Sequence, residues 1–180
     1  MKSKFAALAL LALLSAGLIS ASDAQAANKK IDQNTKIYYA DLNGDGRKEM
    51  IEIEDRSAKD AVFILSVGNR NRNKTMDLID GLVISGKIRK IELVDLNDDG
   101  QMQIVVYFDD LERVSNIIVY QLKNNKLYKI FSAASEYGVA AEFETIPRIK
   151  VGKPSKYNNS SNFLPDWDSW VWLGDKFVKD

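Results

Sequence analysis

Residues 41–49, DLNGDGRKE, carry oxygen-bearing groups at alternating positions of one glycine-containing loop. Side chains that wrap around a centre in this spacing supply a mixed set of oxygen ligands, which calcium tolerates well. Without a cation, the three carboxylates of the loop repel one another. The pattern therefore predicts a calcium site, loop 1, with these ligands in order: Asp41, Asn43, Asp45, the carbonyl of Arg47, and Glu49. A polar turn rich in Asp and Asn is the alternative interpretation.

A second loop of the same kind follows 54 residues later, in DLNDDGQMQ. Its candidate ligands are Asp95, Asn97, Asp99, the carbonyl of Gln101, and Gln103. The ninth position of this loop 2 holds an amide instead of a carboxylate, so we expect lower affinity for a cation. Whether loop 2 holds metal is left open.

The composition limits the chemistry to oxygen ligands. The chain of 180 residues contains no histidine and no cysteine. This excludes disulfides, imidazole- or thiolate-based zinc sites and the usual serine and cysteine triads. Calcium, magnesium and manganese are the metals that carboxylates and carbonyls select.

The two loops belong to a longer internal repeat. Residues 36–71 align without a gap on residues 90–125, and the segments flanking each loop alternate apolar and polar residues, as strands do. Each unit reads as four short strands, the number in a propeller blade. The predicted units are about 36–85, 86–137 and a degenerate third unit, 138–180.

The third unit lacks an acidic loop. A single strand is predicted from Glu142 to Val151, followed by a long polar insertion, 152–168. A closing hairpin is predicted from Ser169 to Val178, with its turn at Gly174 and Asp175.

Two other loop classes share part of the motif. A helical calcium-binding hand fits loop 1, since Glu52 occupies position twelve. The flanks have period two instead of 3.6, and Val106 replaces this glutamate in loop 2, so the hand is rejected. A cohesin-type docking module would need a helix after each loop.

The motif resembles the FG-GAP and VCBS-type repeats, the blades of integrin-like propellers, whose loops read D-x-[DN]-x-D-G-x-x-[DE]. Loop 1 matches the whole pattern through Asp41, Asn43, Asp45 and Glu49, and loop 2 matches all but the last place. The resemblance covers about half of the mature chain. It implies structural calcium in an exported binding module. About three units are too few to close a ring, so we expect an all-β fold of antiparallel blade-like repeats in a partial, propeller-like open array, with a β-sandwich as the alternative.

All three tryptophans lie within DWDSWVW. Trp170 and Trp172 are predicted to share one strand face, with Trp167 in the preceding loop. They are candidates for a ligand-binding aromatic platform that stacks on sugar rings. The alternative is that a closing strand fills the core with aromatic side chains.

The N-terminal 26 residues are predicted to be a bacterial-type signal peptide. Lys2 and Lys4 precede an apolar run from Phe5 to Ile19, and Ala24-Gln25-Ala26 is a small-x-small cleavage signal. We therefore expect a periplasmic or secreted protein with no stable membrane insertion after cleavage. The mature chain has a net charge near −1, which gives no reason to expect nucleic-acid binding.

Two classes of function remain. The first is an exported, calcium-braced β-repeat module that binds an unknown protein or glycan and is not an enzyme. The second is a small glycoside hydrolase that uses carboxylates alone, or an accessory domain of an enzyme. Asp109, Asp110 and Glu112 form the only adjacent acidic cluster considered for catalysis, and adjacent strand residues point to opposite faces. The first class is favoured.

Overall fold

A computed structural model describes residues 34–143, 146–155 and 165–180. Within these ranges the chain forms twelve strands and one four-residue helix. The strands are β1 (Thr35–Ala40), β2 (Glu49–Asp55), β3 (Val62–Arg70), β4 (Met76–Ser85), β5 (Lys87–Val94), β6 (Gln103–Asp109), β7 (Ser115–Lys123), β8 (Lys126–Ser135), β9 (Val139–Glu142), β10 (Arg148–Lys153), β11 (Asp166–Leu173) and β12 (Lys176–Lys179); the helix is α1 (Ser57–Asp60).

The strands form three four-stranded antiparallel sheets. The first sheet has the order β1-β2-β3-β4, the second β5-β6-β7-β8 and the third β9-β10-β11-β12. Neighbours in each sheet are consecutive in the chain, and all pairs are antiparallel. The prediction of an all-β chain is confirmed. Over the described residues, the sheets close neither a barrel nor a propeller.

The third sheet corrects two predictions. The predicted strand from Glu142 to Val151 is wrong, because β9 ends at Glu142 and β10 begins at Arg148. Pro147 stands in the connection; proline has no N–H to donate to a ladder, and its carbonyl accepts the N–H of Trp172 at 2.9 Å. The assignment of Trp167 to a loop is also wrong, since β11 begins at Asp166.

Repetition in sequence gives repetition in structure. Strands β2 and β6 are offset by 54 residues, the period of the sequence repeat. In β2, Ile51 and Ile53 point into a core shared by the first and second sheets, while Glu52 and Glu54 point to the other face. In β3, Phe63 and Leu65 point into the same core, and Phe63 meets Phe108 of the second sheet edge-to-face at 5.6 Å between ring centroids.

The second sheet is buried on both faces. Ile104, Val106 and Phe108 of β6 pack on the first sheet. The alternate residues Val105 and Tyr107 pack in a separate core against the third sheet. Six consecutive residues of β6 are buried as a result, whereas the first and third sheets each contribute one face to a core.

Gly86, between β4 and β5, is required by its conformation and its surroundings. Its φ is +127°, and a Cβ there would lie 2.4 Å from the carbonyl oxygen of Asp109. Gly86→Ala should therefore destabilise the fold by more than the ~1–3 kcal/mol of backbone strain alone. Gly174→Ala is the matched control, since Gly174 has φ +75° but no atom within 4 Å of the added methyl. Urea denaturation of both variants tests this, and equal losses would contradict it.

The predicted signal peptide and its cleavage site lie outside the described residues. Among the residues that the structure covers, no helix is long and apolar enough to cross a membrane.

Candidate functional site

The two acidic loops lie side by side at one end of the first and second sheets. The backbone carbonyl of Asp41 in loop 1 accepts the N–H of Met102 in loop 2 at 2.8 Å. The α-carbon of Gly44 abuts the side chain of Gln101, so closely that a Cβ on Gly44 would lie 2.8 Å from its Nε2. Each loop therefore contributes to the junction between the two sheets.

Loop 1 is organised by hydrogen bonds from its backbone to its own carboxylates. Asp41 Oδ1 and Oδ2 accept the N–H groups of Gly44 and Gly46, at 2.7 and 2.8 Å. Asp45 Oδ1 accepts the N–H of Arg47 at 2.8 Å, and Asn43 Oδ1 accepts the N–H of Asp45 at 2.8 Å. Gly46, with φ +80°, provides the left-handed turn that this wrapping requires. The oxygens at positions one, three and five are thus held in fixed orientations.

Glu49 is a buried carboxylate at the base of loop 1. Its side chain is 0 % exposed, Oε2 accepts the N–H of Leu42 at 2.7 Å, and Oε1 accepts Asn43 Nδ2 at 3.1 Å. Burial raises the pKa of the Glu49 carboxyl, and the negative charges of Asp45 and Asp41 raise that pKa further, against the lowering effect of the Leu42 N–H. A cation in loop 1 would relieve this destabilisation of the charged form.

Loop 2 performs the same closure with a neutral side chain. Gln103 is 2 % exposed, and its Oε1 accepts the N–H of Leu96 at 2.8 Å, as Glu49 does from Leu42. Its Nε2 donates to the carbonyl of Gln101 at 2.9 Å, the carbonyl predicted as the seventh-position ligand. The rest of loop 2 repeats loop 1, with Asp95 accepting the N–H of Gly100 and Asp99 that of Gln101. An N–H therefore occupies the place where a cation would meet the Gln101 oxygen.

The donor sets of the two loops fit a cation differently. Loop 1 offers carboxylate, amide and carbonyl oxygens only, which suits calcium. Loop 2 places an amide N–H on one of its predicted ligands and does not fit a cation there. In the described parts of the chain, no three acidic side chains are grouped closely enough to hold a metal ion as they stand.

The structure separates the three tryptophans. Trp170 and Trp172 face the second sheet, where Phe131 lies 6.0 Å from Trp170 and Phe177 lies 5.1 Å from Trp172 between ring centroids. Trp167 pairs with Gly152 on the opposite face of the third sheet and is 43 % exposed. The three rings therefore do not form one platform.

The acidic cluster considered for catalysis has turn-forming roles. Asp110 Oδ1 accepts the N–H groups of Glu112 and Val114, both at 2.9 Å. Asp109 Oδ1 accepts the hydroxyl of Ser115 at 3.1 Å and pairs with Arg89 at 3.3 Å. An open depression of about 410 Å³ lies beside Asp110 at the β2–β3, β4–β5 and β6–β7 connections, and Lys87 is the other charged residue lining it.

Sequence reasoning did not identify the role of Leu42 and Leu96. Both side chains are buried, at 0 % and 4 % exposed, and both backbone N–H groups bind the ninth-position side chain. The signal for this contact was the pair Glu49 and Gln103, since side chains of equal length recur at equivalent positions although their charge differs.

The raised pKa of Glu49 predicts a pH dependence in the presence of a chelator. A carboxyl whose pKa is higher in the folded state keeps its proton longer in that state, so its stabilising contribution is complete below the ordinary pKa of 4.5 and is lost as the pH rises through the folded-state value. Wild-type protein should therefore lose stability relative to Glu49→Gln as the pH rises from about 4 towards neutrality. Urea denaturation across this range measures the difference, and parallel pH profiles would contradict it.

Comparisons with known proteins give little similarity. No protein-family model matches the chain, and no curated protein sequence matches it. Among solved structures, PliI-Ah, a periplasmic lysozyme inhibitor of I-type lysozyme from Aeromonas hydrophyla, is similar over 56% of this chain and 87% of its own, with 18% identity and a TM-score of 0.44. At that TM-score the two chains are not shown to share a fold.

Proposed function

We propose that this chain is an exported, non-catalytic β-repeat module in which loop 1 binds calcium as a structural brace. The observation that carries the proposal is the buried carboxylate of Glu49, whose equivalent in loop 2 is the neutral Gln103. The two side chains make the same hydrogen bond to a leucine N–H, so the charge of Glu49 is not needed for that bond. A charge kept in a buried site at the centre of an oxygen-rich loop is accounted for by a cation.

Calcium in loop 1 would be held by Asp41, Asn43, Asp45, the carbonyl of Arg47, and Glu49. Its contribution would be stability, since a ligand that binds only the folded state stabilises that state. Because Asp41 and Gly44 contact loop 2, the brace would also strengthen the junction between the first and second sheets. In loop 2, we propose that Gln103 substitutes for the cation.

The module would belong with the FG-GAP and VCBS-type repeats, as an open, propeller-like array of three blade-like sheets. Two observations support this proposal: each sheet is a four-stranded meander, and the two acidic loops occupy equivalent connections. The predicted signal peptide supports a periplasmic or secreted location.

The partner would be a protein or a glycan, and Trp167 is the contact that we propose for it. Its indole lies on the outward face of the third sheet, above the strand pair with Gly152 and 4.0 Å from the position of a Cβ on Gly138. Exposed tryptophans are enriched at the centres of binding interfaces.

A non-catalytic role is supported by the composition, which lacks histidine and cysteine, and by the turn-forming contacts of Asp109 and Asp110. A glycan and protein array probed with the purified protein, in calcium and in chelator, tests the proposal. We expect a bound partner whose signal falls for Trp167→Ala, with unchanged thermal stability. Turnover of a glycan substrate, or binding that is the same for Trp167→Ala, would contradict it.

A further inference from the structure

The outward face of the first sheet corresponds, through the repeat, to a face that the second sheet buries. In the second sheet, Ile104, Val106 and Phe108 pack on the first sheet and are 1, 0 and 6 % exposed. Their counterparts 54 residues earlier are Met50, Glu52 and Glu54. These three alternate with the core residues of β2 and therefore lie on the face turned away from the second sheet.

The neighbouring strand shows the same replacement. Tyr120 and Leu122 of β7 pack against the first sheet and are buried. Their counterparts in β3 are Ser66 and Gly68, which alternate with the core residues Leu65 and Val67. The positions that let one sheet stack on the next thus hold charged or small residues in the first sheet.

The outward face nevertheless keeps apolar residues around the two glutamates. Tyr39, paired with Met50, is 42 % exposed; Val83, paired with Ile64, is 69 % exposed; and Leu78, paired with Gly68, is 66 % exposed. A twisted sheet face with these side chains would gain stability by burial against another sheet. Burial of two carboxylates between packed sheets opposes that gain, because each charge would leave water.

We propose that Glu52 and Glu54 terminate the stack of sheets and keep the outward face of the first sheet from taking a second copy of this chain. Glu54 also pairs with Arg56, Oε1 to Nε at 2.9 Å, which adds a second charged group beside the face. The first sheet then has the role of the terminal unit in repeat proteins, whose outer face is polar so that the array remains soluble. This device is independent of calcium and of any partner at Trp167.

The experiment replaces the two glutamates by the residues that the second sheet has in their places. Glu52→Val with Glu54→Phe should self-associate, with at least a doubling of the weight-average mass in sedimentation velocity, while the wild type remains a monomer at all concentrations. All runs contain chelator. Glu112→Val with Glu136→Phe is the matched control, because it makes the same chemical change at two exposed residues away from this face. It should remain a monomer.

A second variant, Glu52→Lys with Glu54→Lys, keeps charge on the face and should also remain a monomer. A monomeric Glu52→Val, Glu54→Phe protein that melts cooperatively would overturn the proposal. So would a wild-type dimer whose β2 and β3 amides become protected from hydrogen exchange as the concentration rises. The second result does not depend on the folding of any variant.

Discussion

Trp172→Ala should lower the free energy of unfolding by about 3 to 5 kcal/mol, the usual cost of truncating a large aromatic side chain in a core. Trp172 packs against Phe177 in the core between the second and third sheets, in the same cluster as Ile149 and Val151. Removal of the indole would leave a cavity that strands fixed by backbone pairing on both sides cannot close. Urea denaturation monitored by circular dichroism measures the loss.

Two substitutions control for the chemistry of this change. Trp172→Phe should cost much less, because the indole Nε1 is buried with no hydrogen-bond partner and no bond is lost with it. Trp167→Ala, on the exposed face, should leave stability within about 0.5 kcal/mol of the wild type. If Trp172→Ala and Trp167→Ala melt alike, the packing argument for Trp172 fails.

Calcium at ten millimolar should stabilise the wild-type protein by about 1.4 to 2.7 kcal/mol relative to chelator, if loop 1 binds with the ~10⁻³ to 10⁻⁴ M dissociation constant of extracellular sites. For a domain of this size that is a rise in melting temperature of about 3 to 10 °C. Glu49→Gln should remove the rise while preserving the fold, because the amide can still accept the Leu42 N–H as Gln103 does from Leu96. Differential scanning calorimetry gives both values.

The reciprocal exchange in loop 2 makes the test sharper. Gln103→Glu removes the N–H from the Gln101 carbonyl and restores the ninth carboxylate, so it should add a calcium response to Glu49→Gln. In the wild-type background, Asp45→Ala should reduce the calcium effect more than Asp99→Ala does. Identical melts in calcium and chelator for all of these proteins would exclude calcium as a brace.

Much of the fold was predictable because its signals are local. Alternation around each loop located the strands of the first two sheets, and the 54-residue repeat located one sheet from the other. The third sheet was harder, since β9 has only four residues and Pro147 was not used as the end of a strand. The turn at Gly174 and Asp175 was predicted correctly, because a two-residue glycine turn is encoded locally.

The candidate site was predictable in its residue types but not in its contacts. The spacing of Asp41, Asn43 and Asp45 identified loop 1, yet the burial of Glu49 depends on how the loop folds back onto Leu42. The contact between Gly44 and Gln101 joins residues 57 positions apart and is set by packing of the sheets. The faces of the tryptophans depended on where β11 begins, a boundary inside the long polar insertion.

The double burial of β6 also bears on how the chain acquires its structure. Every strand pair joins neighbours along the chain, so each sheet needs only short loop closures to assemble. The first and third sheets each find their main apolar contact on the second sheet, which makes the second sheet the common template for both. Rupture of β6 would expose both cores together, so its amides should exchange with solvent only through global unfolding, whereas amides at the ends of β1 and β12 should exchange through local fraying.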